Sequence, residues 1–101
     1  MAKKIVELSS KKKVELKEMS VDEIDICNDM TILRQDENGE SYVIGLSKSR
    51  TAWLRRGILG GDFKNFKIKD GIVSDSVLKQ LTDEEKNELV QEIQGYQNLG
   101  E

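Results

Sequence analysis

Residues 47–66 read SKSRTAWLRRGILGGDFKNF. The span admits three readings: a phosphate loop, a nucleic-acid grip, or one helix of an ordinary domain with a basic surface. The Gly57…Gly60-Gly61 spacing lacks the Gly-Lys-Ser/Thr ending of a phosphate loop, and no strand leads into it. A helix accounts for more of the residues. Ser47 or Ser49 is expected to cap it after Leu46, and Ala52, Trp53 and Leu54 give it an apolar face. Arg55 and Arg56 then fall in the last turn, where a cation stabilises the negative helix end by about 0.3–1 kcal/mol. Gly57 is expected in the left-handed position past the end, with Ile58 folding back on the last turn. Lys48 and Arg50 are left without a structural reason.

Upstream, TILRQDENGESYVIG at 31–45 reads as a β-hairpin. Thr31, Ile32 and Leu33 face Tyr42, Val43 and Ile44 across Asp36-Glu37-Asn38-Gly39, and Asn-Gly supplies the positive φ of a tight turn. Ser20-Val21-Asp22-Glu23 is a capping box, and Val21, Ile24, Cys27 and Met30 follow at helical spacing, so a helix is expected from 20 to about 30. A weak alternation at Val14 and Leu16 predicts a strand over 13–18. Residues 1–12, with Ser9-Ser10 and the start of the run Lys11-Lys12-Lys13, are expected to form a flexible basic arm ahead of a single domain over 13–101.

Downstream, Gly60-Gly61-Asp62 and Lys69-Asp70-Gly71 read as turns, the second followed by Ile72 and Val73. Ser74 or Asp75 opens a short helix through Val77, Leu78 and Leu81. Thr82-Asp83-Glu84-Glu85 is a second capping box. It starts a helix over 83–97 with Leu89, Val90, Ile93 and Tyr96 on one face and Gly100 past its end.

The chain has no histidine, no proline and a single cysteine, Cys27. The usual neutral-pH acid/base is therefore missing, and so are a disulfide within one chain and a cysteine-based zinc site. Without a histidine beside it, Cys27 is not expected to be a nucleophile. No enzyme chemistry, cofactor or metal is expected. Asp22, Glu23, Asp25 and Asp29 read as a solvated acidic face, because no loop of calcium-binding spacing is present. Neither a signal-length apolar run nor the ~20 apolar residues of a membrane span appears. A soluble intracellular chain with no membrane partner is expected.

Net charge is −3, in four blocks of alternating sign: +3 over 1–19, −6 over 20–45, +6 over 46–69 and −6 over 70–101. Such blocks suit segments that face one another, within a chain or between chains. They oppose nucleic acid as the main partner, since two of them repel phosphate. The basic patch of Lys48, Arg50, Arg55 and Arg56 around Trp53 is thus expected to face protein or solvent. A small nucleic-acid-binding regulator is the lesser reading.

The segments VELKEMSVDEIDIC, SKSRTAWLRRGI with GGDFKNF, and LKQLTDEEKNELVQEIQGYQNLGE, spanning about residues 13–101, together resemble the small tail assembly chaperones of long-tailed bacteriophages. Members of that family often open with a strand-like segment into a capped acidic helix and close on an amphipathic helix. The resemblance implies a mainly helical, self-associating protein of the infected host cytoplasm. It implies a non-enzymatic role without a cofactor: covering the aggregation-prone tape measure protein until tail-tube subunits displace it. It also implies a longer form made by frameshifting, of which this chain is the short form. The alternative is a minor virion component such as a neck, head-completion or decoration subunit.

The expectation is thus an α+β fold, mostly helical, with three to four short helices and one small β-hairpin. The expected partner-binding surface is Trp53 and Leu54 with the last-helix stripe of Leu89, Ile93 and Tyr96, suited to pairing with an amphipathic helix.

Overall fold

Val6 and Leu8 alternate with charged residues, as do Val14 and Leu16, and the two runs lie side by side. In the computed structural model, which describes residues 3–98, β1 (Lys3–Glu7) pairs antiparallel with β2 (Lys13–Lys17) in the register Val6↔Val14 and Lys4↔Leu16. The connection is tight: Lys11 N–H donates to Leu8 O at 2.8 Å, and Lys11 takes a φ of +77°. Residues 3–7 are therefore a strand of the sheet and 8–12 the tight connection that follows it, and the expected loose arm is corrected over 3–12. Its first two residues, like Gly100, lie outside the described residues. Val6 and Leu8 turn inward and are buried, whereas Lys11 and Lys13 are exposed. The acids of the last helix hold the turn: Ser9 N–H donates to Glu88 and Ser10 Oγ to Glu85, while Lys12 Nζ donates to the Gln80 carbonyl ahead of that helix.

After the capping box of Ser20 and Glu23 comes α1 (Val21–Asn28), both halves of the box being formed. Cys27 points into the core and Val21 is exposed. A hairpin of β3 (Ile32–Gln35) and β4 (Ser41–Ile44) leads through Gly45 into α2 (Leu46–Gly57). The cap of α2 is Gly45, in place of the expected Ser47 or Ser49; the Ser49 hydroxyl instead donates to the Cys27 carbonyl at 3.3 Å and ties α2 to α1.

The chain then continues straight from helix to strand. Ile58 is extended, so Gly57 ends α2 without a left-handed turn, and Gly60-Gly61, expected as a turn, complete β5 (Ile58–Gly61). This strand pairs with β2, with a bulge between Glu15 and Leu16, giving a three-stranded sheet of order β1-β2-β5. A two-residue turn at Asp70-Gly71 joins β6 (Ile68–Lys69) to β7 (Ile72–Val73). Next come α3 (Asp75–Leu78) and α4 (Asp83–Asn98), the latter opened by the expected Thr82–Glu85 box.

The fold class expected from the sequence is overturned. Among the described residues helix makes up 41% and strand 27%, with seven strands in three small sheets beside four helices. A mostly helical chain with one hairpin is not what forms; the architecture is a mixed α+β fold. Short strands set among charges leave little periodicity to read, and β5 is half glycine.

One cluster forms the core. Leu8, Val14, Leu16, Leu54, Ile58, Leu89 and Ile93 are among its fully buried members, where α2 and α4 pack against each other and against the sheet residues. Phe63, Phe66, Val90 and Tyr96 close its margin.

Candidate functional site

The β3–β4 hairpin is built on the apolar runs Ile32-Leu33 and Tyr42-Val43-Ile44. A strand sends successive side chains to opposite faces. In the register Ile32↔Ile44, Leu33↔Val43, Arg34↔Tyr42, one face therefore carries Ile32, Ile44 and Tyr42, and the other Leu33 and Val43. Neither face is covered: every residue from 32 to 44 is exposed, Leu33 at 71%. The two strands form a sheet of their own. A lone two-stranded hairpin is at best marginally stable, and free edges with apolar faces invite another chain.

Local chemistry still shapes it well. Asp36 Oδ1 accepts from the N–H groups of Asn38 at 2.9 Å and Glu40 at 2.8 Å, and the Asp36 N–H donates to the Glu40 carbonyl at 2.9 Å. The base is fixed by backbone against backbone. Gly45 has a φ of +85°, and a Cβ there would strike the Met30 carbonyl oxygen, so only glycine lets the chain leave the hairpin for α2 at this angle.

At that base, Met30 and the outer face of α2 form an open groove of about 400 Å³. Its walls include Lys48, Thr51, Ala52, Arg55 and Arg56. The expected basic patch divides here. Arg50 leaves it for α4, donating to Asn87 at 3.2 Å and pairing with Asp83 at 3.5 Å. Arg55 donates to the Val73 carbonyl at 3.0 Å and to Asp75, whose carboxyl it holds below its ordinary value of 3.8. Lys48 and Arg56 have no ion-pair or side-chain hydrogen-bond partner among the described residues. A second groove, of about 510 Å³, runs between Leu46, Arg50 and Trp53 on α2 and Asn87, Val90 and Gln94 on α4.

The expected partner-binding set is corrected. Trp53, Leu54, Leu89 and Ile93 are buried within the chain's own core, and Tyr96 packs on it half-buried. Helical periodicity marks an apolar stripe without saying what covers it, and in a chain this short the stripes of α2 and α4 cover each other. Five of the eleven exposed large apolar side chains among the described residues lie together on the hairpin instead, the other six being spread over five other elements. The signal was present: consecutive apolar residues on each strand, Ile32-Leu33 and Tyr42-Val43-Ile44, mean that both faces carry apolar side chains, which demands cover from both sides.

Chemistry of the reactive kind is sparse. Burial pushes the Cys27 thiol above its ordinary value of 9.0, with Arg56 opposing and Glu23 adding to the shift. Partial burial raises the Glu23 carboxyl, but the Ser20 N–H and the Lys17 ammonium outweigh it and leave it below 4.5. Asp22, Asp25 and Asp29 are exposed. Among the described residues no cluster of three or more His, Cys, Asp or Glu could hold a metal ion, and no helix is long and apolar enough to cross a membrane.

No family model matches the chain, and neither a curated protein nor a solved structure is significantly similar to it.

Proposed function

We propose that the chain is a non-enzymatic assembly factor, a tail assembly chaperone of a long-tailed bacteriophage, which works in the host cytoplasm by shielding an aggregation-prone tape measure protein. The observation that carries this reading is the β3–β4 hairpin, with five large apolar side chains on its two faces and two unpaired edges, standing on a core complete without it. Edges take up extended backbone by strand addition, and the faces cover apolar side chains. The client surface is moved from the stripe of α4 to Ile32, Leu33, Tyr42, Val43 and Ile44. The resemblance of the sequence to the chaperone family supports the choice of client.

Co-expression with a tape measure fragment tests this. The fragment is expected to stay soluble with the wild-type chain and to precipitate with Leu33→Ser/Val43→Ser. A fragment equally insoluble with and without the wild-type chain would overturn the reading. Mass spectrometry of finished particles separates a chaperone, which is absent from them, from a permanent virion subunit.

A further inference from the structure

In an antiparallel pair, each strand points its backbone groups inward and outward in alternation. The phase is set at the turn, where the Asp36 N–H donates to the Glu40 carbonyl at 2.9 Å. Followed down the register, Arg34↔Tyr42 and Ile32↔Ile44 bond to each other, while Gln35↔Ser41 and Leu33↔Val43 turn their N–H and C=O groups outward. The open backbone groups of β4 are thus those of Ser41 and Val43.

Charges on an edge strand oppose the docking of another strand. β3 carries Arg34, and β1 carries Lys3, Lys4 and Glu7. β6 and β7 are two residues long, and Ile58 and Gly60 of β5 are buried. β4, Ser41-Tyr42-Val43-Ile44, is exposed throughout and uncharged. A strand laid beside it has Tyr42 and Ile44 as neighbours on one face and Val43 on the other. A strand laid beside β3 sets an apolar side chain against Arg34 and takes water from the guanidinium. The tip from which β4 starts is acidic: residues 36–40 hold Asp36, Glu37 and Glu40 and no cation, and all three acids are exposed.

We infer that the β4 edge takes, as a third and antiparallel strand, an extended partner segment of apolar residues that ends in cations. The segment exchanges backbone hydrogen bonds with Ser41 and Val43, and its side chains extend both apolar faces of the hairpin. Antiparallel pairing is the more stable per residue. Since β4 runs from tip to base, the added strand runs from base to tip, which brings its C-terminal cations to Glu37 and Glu40. The inference rests on the reading of the hairpin as the client surface, and adds which edge is used, in which direction, and by what kind of segment.

Fluorescence anisotropy of a dye-labelled peptide, Thr-Val-Ile-Val-Lys-Lys with blocked ends, titrated with the full chain tests it. Binding is expected, and it is expected to weaken when the two lysines are moved to the front. N-methylation of the peptide backbone, one residue at a time, is expected to lower affinity about tenfold at every second residue and little at those between, because alternate N–H groups face β4. Val43→Pro removes an outward N–H, a position where an edge strand tolerates proline, and is expected to abolish binding. Leu33→Pro does the same at the β3 edge and is expected to leave binding intact. The N-methyl pattern is read on the wild-type chain, so it holds whether or not a proline variant keeps its hairpin.

A wild-type chain that does not bind the peptide would overturn the inference. So would an N-methyl series without the two-residue period, tighter binding of the peptide with its lysines first, or loss of binding in Leu33→Pro with Val43→Pro unaffected. The two readings fail separately. A tape measure fragment protected as well by Val43→Pro as by the wild type removes this inference and leaves the client reading. A fragment left unprotected, with the peptide bound as described, removes the client and leaves the edge.

Discussion

The Ser10 hydroxyl donates to Glu85 Oε2 at 2.6 Å, joining the first hairpin of the chain to the first turn of its last helix. Glu85 is buried and is also the second half of the α4 capping box, accepting from the Thr82 N–H at 2.8 Å while the Thr82 hydroxyl accepts from the Glu85 N–H at 3.1 Å. Lys12 Nζ stands 3.5 Å away. One carboxylate thus caps the start of a helix and anchors the β1–β2 connection. Glu85→Ala is expected to cost about 1–3 kcal/mol, since Thr82 N–H and Ser10 lose a charged acceptor, and to lower Tm by about 4–8 °C per kcal/mol.

The same carboxyl sets an acid limb. The Ser10 hydroxyl first, then the Thr82 N–H and Lys12, hold Glu85 below its ordinary value of 4.5. A group depressed on folding stabilises the fold above its unfolded value, and that contribution is lost as pH falls through the folded value. Thermal melts from neutral pH downward are therefore expected to show the wild type losing its margin over Glu85→Gln below pH 4.5. Parallel curves would remove Glu85 from the account.

Gly57 sits where α2 crosses α4, and a Cβ there would stand 2.5 Å from Ile93 Cγ2. Ile93 is fully buried and cannot give way cheaply. Gly57→Ala is expected to destabilise by about 1–3 kcal/mol through overpacking. Combined with Ile93→Ala, it is expected to cost less than the two changes summed, because the added methyl occupies part of the space vacated; urea titration of the four chains reads the coupling.

Cys27 is fully buried, and burial raises its thiol. A disulfide reagent is expected to reach it only when the structure opens. Labelling should then be slower by on the order of 100-fold or more in the native chain than in guanidinium, if opening requires about 3 kcal/mol. Equal rates would place the side chain at the surface.

Leu33→Ser/Val43→Ser lies on exposed strand faces. Its effect on stability is expected to stay within about 0.5 kcal/mol per site. Leu89→Ala, in the core, is expected to cost about 2–5 kcal/mol. Urea titration of both distinguishes a surface kept for a partner from one the fold needs.

Local signals in the sequence were readable. The boxes at Ser20–Glu23 and Thr82–Glu85 cap the helices they announce, and Asp36-Glu37-Asn38-Gly39 turns a hairpin, because each is decided within a few residues. Pairings between distant segments were not. Ile5 and Val6 become a strand only beside β2, and Gly60-Gly61 join a sheet only because Val14 and Glu15 lie alongside. The candidate site was half legible for the same reason. Trp53, Leu89 and Ile93 were correctly seen as apolar stripes, but what covers a stripe is a nonlocal fact, and here the chain covers its own. The hairpin was visible as a hairpin, yet its exposure on both faces depends on where every other element goes.

Hydrogen–deuterium exchange of the chain, alone and with a tape measure fragment, reads the central claim most directly. The account predicts slowed exchange over 32–44, where β3 and β4 offer free edges, and little change in α4. Slowed exchange confined to α2 and α4, with 32–44 as fast as in the free chain, would contradict it.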